Sequence, residues 1–360
     1  VTAPALSPPA PPGGSRSRAL APVLVAVLVP LLAVSVLLAV GLGAAVVPPA
    51  ETARYLWAAL SGGTIGADEV SRYQIVWHIR TPRVLLAATV GAGLSVVGVA
   101  VQAMVRNPIA DPFVLGISSG ASVGAVAVGV FGVLSSLGVY AVSAGAFAGA
   151  AVATGIVYAL ALSSTGVTPL RLVLTGVALS FGFQALMSVI VYFTPSNEAT
   201  STVLFWTMGG FGAASWGSLP LVAALVAVGA VVVHRSSRSL DVAALGDETA
   251  ASLGVDTGRL RVTMFLLTAV MTGAMVAVSG VIGFVGLVVP HVVRMLVGAA
   301  HRRVLVVAPL AGAVFMVWVD LASRVVVAPR ELPLGVLTAL VGVPVFLTLM
   351  RRGGYVFGGR

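Results

Sequence analysis

The side chains able to do chemistry in this sequence are few, and they fall into four groups. A polar island, Leu245-Gly246-Asp247-Glu248-Thr249-Ala250 with Leu253-Gly254, holds two adjacent carboxylates. Arg80 and Arg83 flank Thr81-Pro82, and Arg324 follows Asp320 by four residues. Asn107-Pro108 and Asp111-Pro112 precede Gly116 and Gly120, and Gly280, Gly283, Gly286 and Pro290 lead to His291 and Arg294. No group pairs a nucleophile with a base or two carboxylates across a gap. His291 has no second His, Cys or carboxylate at the spacing a metal site needs, so no metal is expected. With no cysteine, thiolate chemistry and disulfides are excluded. All 20 basic residues are Arg, and a Walker A loop requires a Lys on the terminal phosphates. Any ATP and Mg used here must therefore be bound and turned over by another chain, and no cofactor is expected in this one.

The elements that hold these groups are hydrophobic. Apolar residues make up 59% of the chain and charged residues 9%, with a mean hydropathy of +1.09. A soluble domain carries about a quarter charged residues, so an all-α membrane protein is expected. Apolar stretches lie at 19–47, 84–105, 113–134, 139–162, 172–193, 219–234, 262–278, 282–297, 304–327 and 334–350. Each approaches the roughly 20 residues that cross ~30 Å of hydrocarbon, which predicts ten spans in one transmembrane domain, residues 19–352. The first stretch is too long for a signal-peptide core and is expected to be retained. Residues 1–18, rich in Pro, Ser and Gly, are expected to be a disordered tail, and 353–360 a second tail. Glycines such as Gly91, Gly93 and Gly98, or Gly145, Gly149 and Gly155, suit close helix packing in lipid.

Charge gives an orientation. Arg16 and Arg18 precede the first span, and Arg351 and Arg352 follow the last. With ten spans, one side also collects Arg106, Arg171, Arg235, Arg238, Arg259, Arg261, Arg302, Arg303 and Arg360, against Arg54, Arg72, Arg80, Arg83 and Arg330 on the other. The positive-inside rule then places both termini in the cytoplasm. It also accounts for the net charge of +9 without nucleic acid.

The motifs stand in order: Arg80-Thr81-Pro82-Arg83, then Gly91, Gly98 and Gln102, then Arg106-Asn107-Pro108-Ile109-Ala110-Asp111-Pro112. Leu115-Gly116-Ile117-Ser118-Ser119-Gly120-Ala121 follows, then the Leu245–Val255 island. Ser279-Gly280-Val281-Ile282-Gly283-Phe284-Val285-Gly286-Leu287 with Pro290-His291 comes next, and Asp320, Arg324 and Glu331-Leu332-Pro333 close the series. From about residue 54 to 352 this pattern resembles the permease subunits of ABC importers for ferric siderophores, haem and cobalamin (FecCD/BtuC-like, type II importers). The resemblance implies a polytopic, BtuC-like bundle of about ten transmembrane helices in a bacterial inner membrane. It implies a second permease subunit, identical or paralogous, with the substrate path between the two. Two cytoplasmic ABC ATPase subunits and an extracytoplasmic substrate-binding lipoprotein complete the implied assembly. A ferric siderophore is its commonest cargo, with haem and cobalamin behind.

Each motif has a local reading beside the one the resemblance implies. Asp247 can cap a short helix of about two turns, Glu248 suits the positive end of its dipole, and Gly254 can end it in a left-handed cap. Such a helix could simply connect two spans; in the family it is the coupling helix that enters a groove of the ATPase. Arg324 can pair with Asp320 at i, i+4 while Arg80 and Arg83 snorkel; in the family the matching arginines receive carboxylates of the binding protein. Asp111 is placed to cap the third span, with Gly116 and Gly120 packing behind it. Gly280, Gly283, Gly286 and Pro290 can break a helix, and His291 and Arg294 suit gating or packing, although Arg294 could snorkel. Trp206, Met208, Gly209, Gly210 and Phe211 read as a re-entrant half-helix.

A proton- or sodium-coupled carrier is the competing class. Such carriers place acidic residues at the bilayer midplane. Here only Asp320 lies well inside an apolar stretch, with Arg324 able to neutralise it.

Overall fold

Apolar stretches of span length have no way to satisfy their backbone in lipid except as helices, and helices are what the sequence forms. The structure, a computed structural model, describes residues 14–43, 45–163, 166–194 and 197–351. Its elements in chain order are α1 Gly14–Gly41, α2 Pro49–Ser61, α3 Val70–Gln74, α4 Thr81–Met104, α5 Ile117–Phe131, α6 Ala141–Ala161, α7 Pro169–Phe193 and α8 Asn197–Met208. They continue as α9 Leu219–Arg235, α10 Ser237–Ala243, α11 Asp247–Ser252, α12 Thr257–Ser279, α13 Val285–Val297, α14 His301–Val325 and α15 Leu334–Arg351. A π-helical turn, Ile75–Arg80, joins α3 to α4 without a break.

Six of the described helices are long and apolar enough to cross a membrane. The α9–α10 pair passes as a seventh span bent by 54°, and α5, α13 and α15 are shorter apolar helices. These coincide with the ten expected stretches. The tail boundary differs: α1 begins at Gly14, so 14–18 are helical, while 1–13 and 352–360 lie outside the described residues. The shorter helices α2, α3 and α10 were not anticipated. α2 starts with Pro49 in its first turn and stops at Gly62, whose φ of +72° is a left-handed cap.

α4 is the axis of the bundle. Of its most apolar stretch, 78% is buried, and it packs on α9, α12, α13 and α14. Small residues permit this. A Cβ on Gly98 would sit 1.9 Å from the Gly286 carbonyl oxygen of α13, and one on Gly120 would lie 2.3 Å from the Ala153 Cβ of α6. Those glycines hold the backbones in contact. α7 sits outside this core, with only 11% of its apolar stretch buried.

Candidate translocation groove and flanking charge clusters

The groove begins with a broken span. α12 ends at Ser279 and α13 begins at Val285, and the segment between them takes left-handed φ at Gly280 (+63°) and at Phe284 (+67°). A Cβ at Gly280 would also crowd the Phe205 carbonyl at 2.9 Å. Irregular backbone at this depth needs partners, and neighbouring segments supply them. Gly210 N donates to the Ser279 carbonyl (2.8 Å), Val281 N to that of Trp206 (3.1 Å), and Leu334 N to that of Gly209 (3.1 Å). The end of α8, the break and the start of α15 are thereby tied together. The half-helix expected around Trp206 is the 12-residue α8, and Trp206 and Phe211 are buried.

An open groove of about 800 Å³ lies beside this junction. Met208, Val281, Phe284, Val336, Leu340 and Val343 make it largely apolar, and Asp111 and Thr207 are its polar members. Asp111 was expected to cap the third span. Instead it caps a short 3-10 turn, Pro112–Leu115, accepting from Phe113 N at 2.9 Å, and α5 begins only after Gly116. Gly283 lines the groove, whereas Gly116, Gly120 and Gly286 pack against Gly176, Ala153 and Pro112.

Pro290 explains the cluster behind the groove. It has no N–H for the carbonyl of Gly286 four residues earlier. Gln102 Nε2 from α4 reaches that carbonyl at 3.3 Å and Leu287's at 3.2 Å. Arg294 Nη1 in turn donates to Gln102 Oε1. Arg294 is 2% exposed, so it braces α13 on α4 and does not snorkel. His291 bonds the backbone of Pro108, which ties the Asn107-Pro108 turn to the same helix. Asn107 Oδ1 itself accepts from Ile109 N at 3.1 Å.

At the end of the bundle where α1 finishes, five charges converge. Arg83 Nε donates to Asp320 (2.8 Å), and its Nη1 and Nη2 grip Glu331 at 2.7 and 2.9 Å. Arg324 Nε donates to the other oxygen of Asp320 at 3.1 Å. Arg324 and Arg80 also bond carbonyls at the end of α1 and just beyond it: Arg324 reaches Ala39 and Leu42, and Arg80 reaches Val40, Gly41 and Ala45. Asp320 is fully buried, and Arg80, Arg83 and Arg324 are 7–9% exposed. The exposed receivers implied by the resemblance are not present in this arrangement. The local pairing of Arg324 with Asp320 is present, and Arg80 and Arg83 do not snorkel.

At the opposite end, α11 has six residues, close to the two turns expected, and Gly246 occupies its cap position. Asp247 is the first helical residue. Its carboxylate receives Arg106, from the Arg-Asn-Pro turn, and Arg261 of α12 at 3.1 Å. Burial alone would raise the Asp247 pKa; Arg261 first, then Arg106, outweigh it and hold the carboxyl below its ordinary range. Gly254 does end the segment in the left-handed region (φ +79°), with Val255 N bonding the Ala250 carbonyl at 2.9 Å. Ala250 is fully buried and seats the helix, while Glu248 is exposed and Leu245 and Leu253 are 64% and 60% exposed. No cluster of His, Cys, Asp and Glu able to hold a metal exists among the described residues.

Along most of its length the chain also matches the sequence model of a known family of transport proteins. The model of the FecCD transport family covers residues 31–352. The chain belongs to that family. It is 38% identical over 328 residues to the uncharacterized ABC transporter permease protein YvrB of Bacillus subtilis, covering 90% of this chain and 92% of that one. It is 41% identical over 283 residues to the hemin transport system permease protein HmuU of Yersinia pestis, covering 77% and 84%. It is 40% identical over 277 residues to the cobalamin import system permease protein BtuC of Halobacterium salinarum, covering 77% and 73%. A solved structure titled as an inward-facing conformation of a putative metal-chelate type ABC transporter superposes with a TM-score of 0.79. That pair is 30% identical, with 92% of this chain and all of that one covered. This FecCD permease is thus a multi-pass membrane subunit of an ABC importer, a transport channel and not an enzyme. Membership in the family implies an ATPase and a substrate-binding partner.

Proposed function

We propose that this permease forms one half of an ATP-driven path for a ferric siderophore, with haem and cobalamin as alternatives in the same class of bulky metal chelates. The observation that carries the reading is the 800 Å³ groove, open along one side and bordered by α15. A single subunit does not close it. The names of the hemin and cobalamin relatives and of the metal-chelate neighbour support the chelate class. An apolar, wide wall reads cargo loosely, so the binding protein sets specificity.

Both termini face the cytoplasm in this proposal, and α11 meets the ATPase with Leu245 and Leu253 as its apolar contacts. The binding protein docks at the other end, where the Asp320 cluster holds the docking surface in shape. The test is uptake by proteoliposomes containing the permease, a cognate ATPase and a binding protein, offered ferric siderophore, haem or cobalamin in parallel. ATP-dependent accumulation of the ferric siderophore is expected. Accumulation of haem or cobalamin alone would replace the cargo and leave the importer reading intact.

A further inference from the structure

The segment between α9 and α12 carries a carboxylate, Asp241, that neither the groove nor the two ion clusters use. α10 leaves α9 with a bend of 54° at Ser236, and its inner face buries Ser237 and Leu240. Backbone hydrogen bonds then run on into α11. Ala244 N donates to the Leu240 carbonyl (3.1 Å), Leu245 N to that of Val242 (3.0 Å), Gly246 N to that of Ala243 (3.3 Å) and Ala250 N to that of Gly246 (3.0 Å). α10 and α11 are therefore one hydrogen-bonded piece, with no slack linker between them.

Asp241 ties this piece to another span. Its Oδ1 accepts from the backbone N of His301 at 3.0 Å and from Nδ1 of the same residue at 2.6 Å. An ionised carboxylate only accepts, so the ring carries its proton on Nδ1. His301 is the first residue of α14, and Ala300 at the cap position has no side-chain acceptor to offer. α14 thus receives its N-terminal cap from α10, and a carboxylate is the group the positive end of a helix dipole favours. The His301 side chain is 2% exposed, so the bond is anchored on a buried ring and a main-chain amide. Arg303 adds its charge to the same carboxylate. Asp247, by contrast, holds only the ends of two arginine side chains. A displacement of α11 is absorbed there by long, rotatable stems, whereas at Asp241 it acts on the backbone of a span. That span, α14, packs along α4 and carries Asp320 and Arg324 near its far end. We propose that Asp241 is a positioning residue for transport: it makes α10, α11 and the start of α14 one mechanical unit, so that the ATPase acts on α14 as well as on α11. This deepens the reading in which α11 meets the ATPase, and rests on it.

The test is the ratio of cargo accumulated to ATP hydrolysed, in proteoliposomes holding the permease, a cognate ATPase and a binding protein, with a ferric siderophore as cargo. Asp241→Ala should lower that ratio by about ten-fold, while the ATPase still co-purifies and still hydrolyses ATP. Asp241→Asn keeps an oxygen for both donors and should retain most of the ratio. His301→Ala keeps the main-chain bond and loses the ring, and a smaller, several-fold loss is expected. The double variant should be no worse than Asp241→Ala alone, because the two residues act as one unit. A residue that only stabilised the fold would lower the melting midpoint and the amount of assembled complex, and leave cargo per ATP unchanged. That result in Asp241→Ala would overturn the proposal, as would equal losses in Asp241→Asn and Asp241→Ala. Where Asp241→Ala yields no folded protein, an unchanged ratio in His301→Ala overturns it in the same way. Leu253→Glu separates the two levels. Wild-type transport in that variant removes the reading of α11 itself, whereas its loss beside an unaffected Asp241→Ala removes only the role of Asp241.

Discussion

The Asp320 and Asp247 clusters use the same chemistry, arginines from different helices converging on a carboxylate, at opposite ends of the bundle. They differ in burial. Asp320 has no exposed surface and its two arginine side chains have less than a tenth, while half of Asp247 is open to solvent. A buried ion cluster cannot lose one member without stranding the others. A half-exposed one can re-solvate, and its net worth is small. One cluster therefore joins the ends of α1 and α14 to the start of α4. The other aligns a surface helix, α11, with α12 and with the Arg106 turn.

That contrast is breakable by substitution. Asp320→Asn should have the largest effect: it leaves Arg83 and Arg324 buried without their shared anion, a loss of about 3–5 kcal/mol. Thermal unfolding in detergent should show a lower midpoint or no folded protein. Next in size, Leu253→Glu changes an exposed side chain, so the melting midpoint should stay put while ATP-driven transport collapses. Equal losses of stability and transport would place Leu253 in the core instead. Asp247→Asn is expected to cost well under about 1 kcal/mol, the range of exposed pairs, and to loosen α11 relative to α12. Hydrogen exchange at residues 247–255 should rise, with the Asp320 end unchanged.

The smallest effect is on pH. Glu331 is held below its ordinary pKa chiefly by the hydrogen bonds from Arg83, and Asp247 by Arg261 and Arg106 against the opposing effect of burial. Both folded values are depressed, so the stability they contribute is complete above the unfolded values of about 4. It is lost as pH falls through the folded values. Neither group should make the melting midpoint vary with pH between 5 and 8, where both contributions are full, and the midpoint should decline on their account only in more acid solution.

The spans were legible because lipid imposes one solution on a long apolar stretch, and the end of the α11 segment was legible because Gly254 is the residue a left-handed cap favours. α2 was missed although Pro49, Glu51 and Gly62 are ordinary start and stop signals; a search confined to span-length hydropathy passes over an amphipathic 13-residue helix. Asp247 was misplaced by one position, since capping preference alone does not reveal that Arg106, 141 residues earlier, would engage its carboxylate. The grip of Arg83 on Glu331 was not anticipated, because nothing in sequence spacing brings together two residues 248 positions apart. Gln102 had a signal that was not used: a Pro inside an apolar helix frees a carbonyl, and an amide in a neighbouring span is a fitting donor.

The central claim is that this chain is a passive half-path driven from the Asp247 end by a separate ATPase. Its most direct test is cargo flux in proteoliposomes with and without that ATPase. The account predicts ATP-dependent uptake with the ATPase and binding protein present, no net uptake by the permease alone under any imposed proton or sodium gradient, and loss of uptake in Leu253→Glu. Gradient-driven accumulation by the chain alone would contradict it.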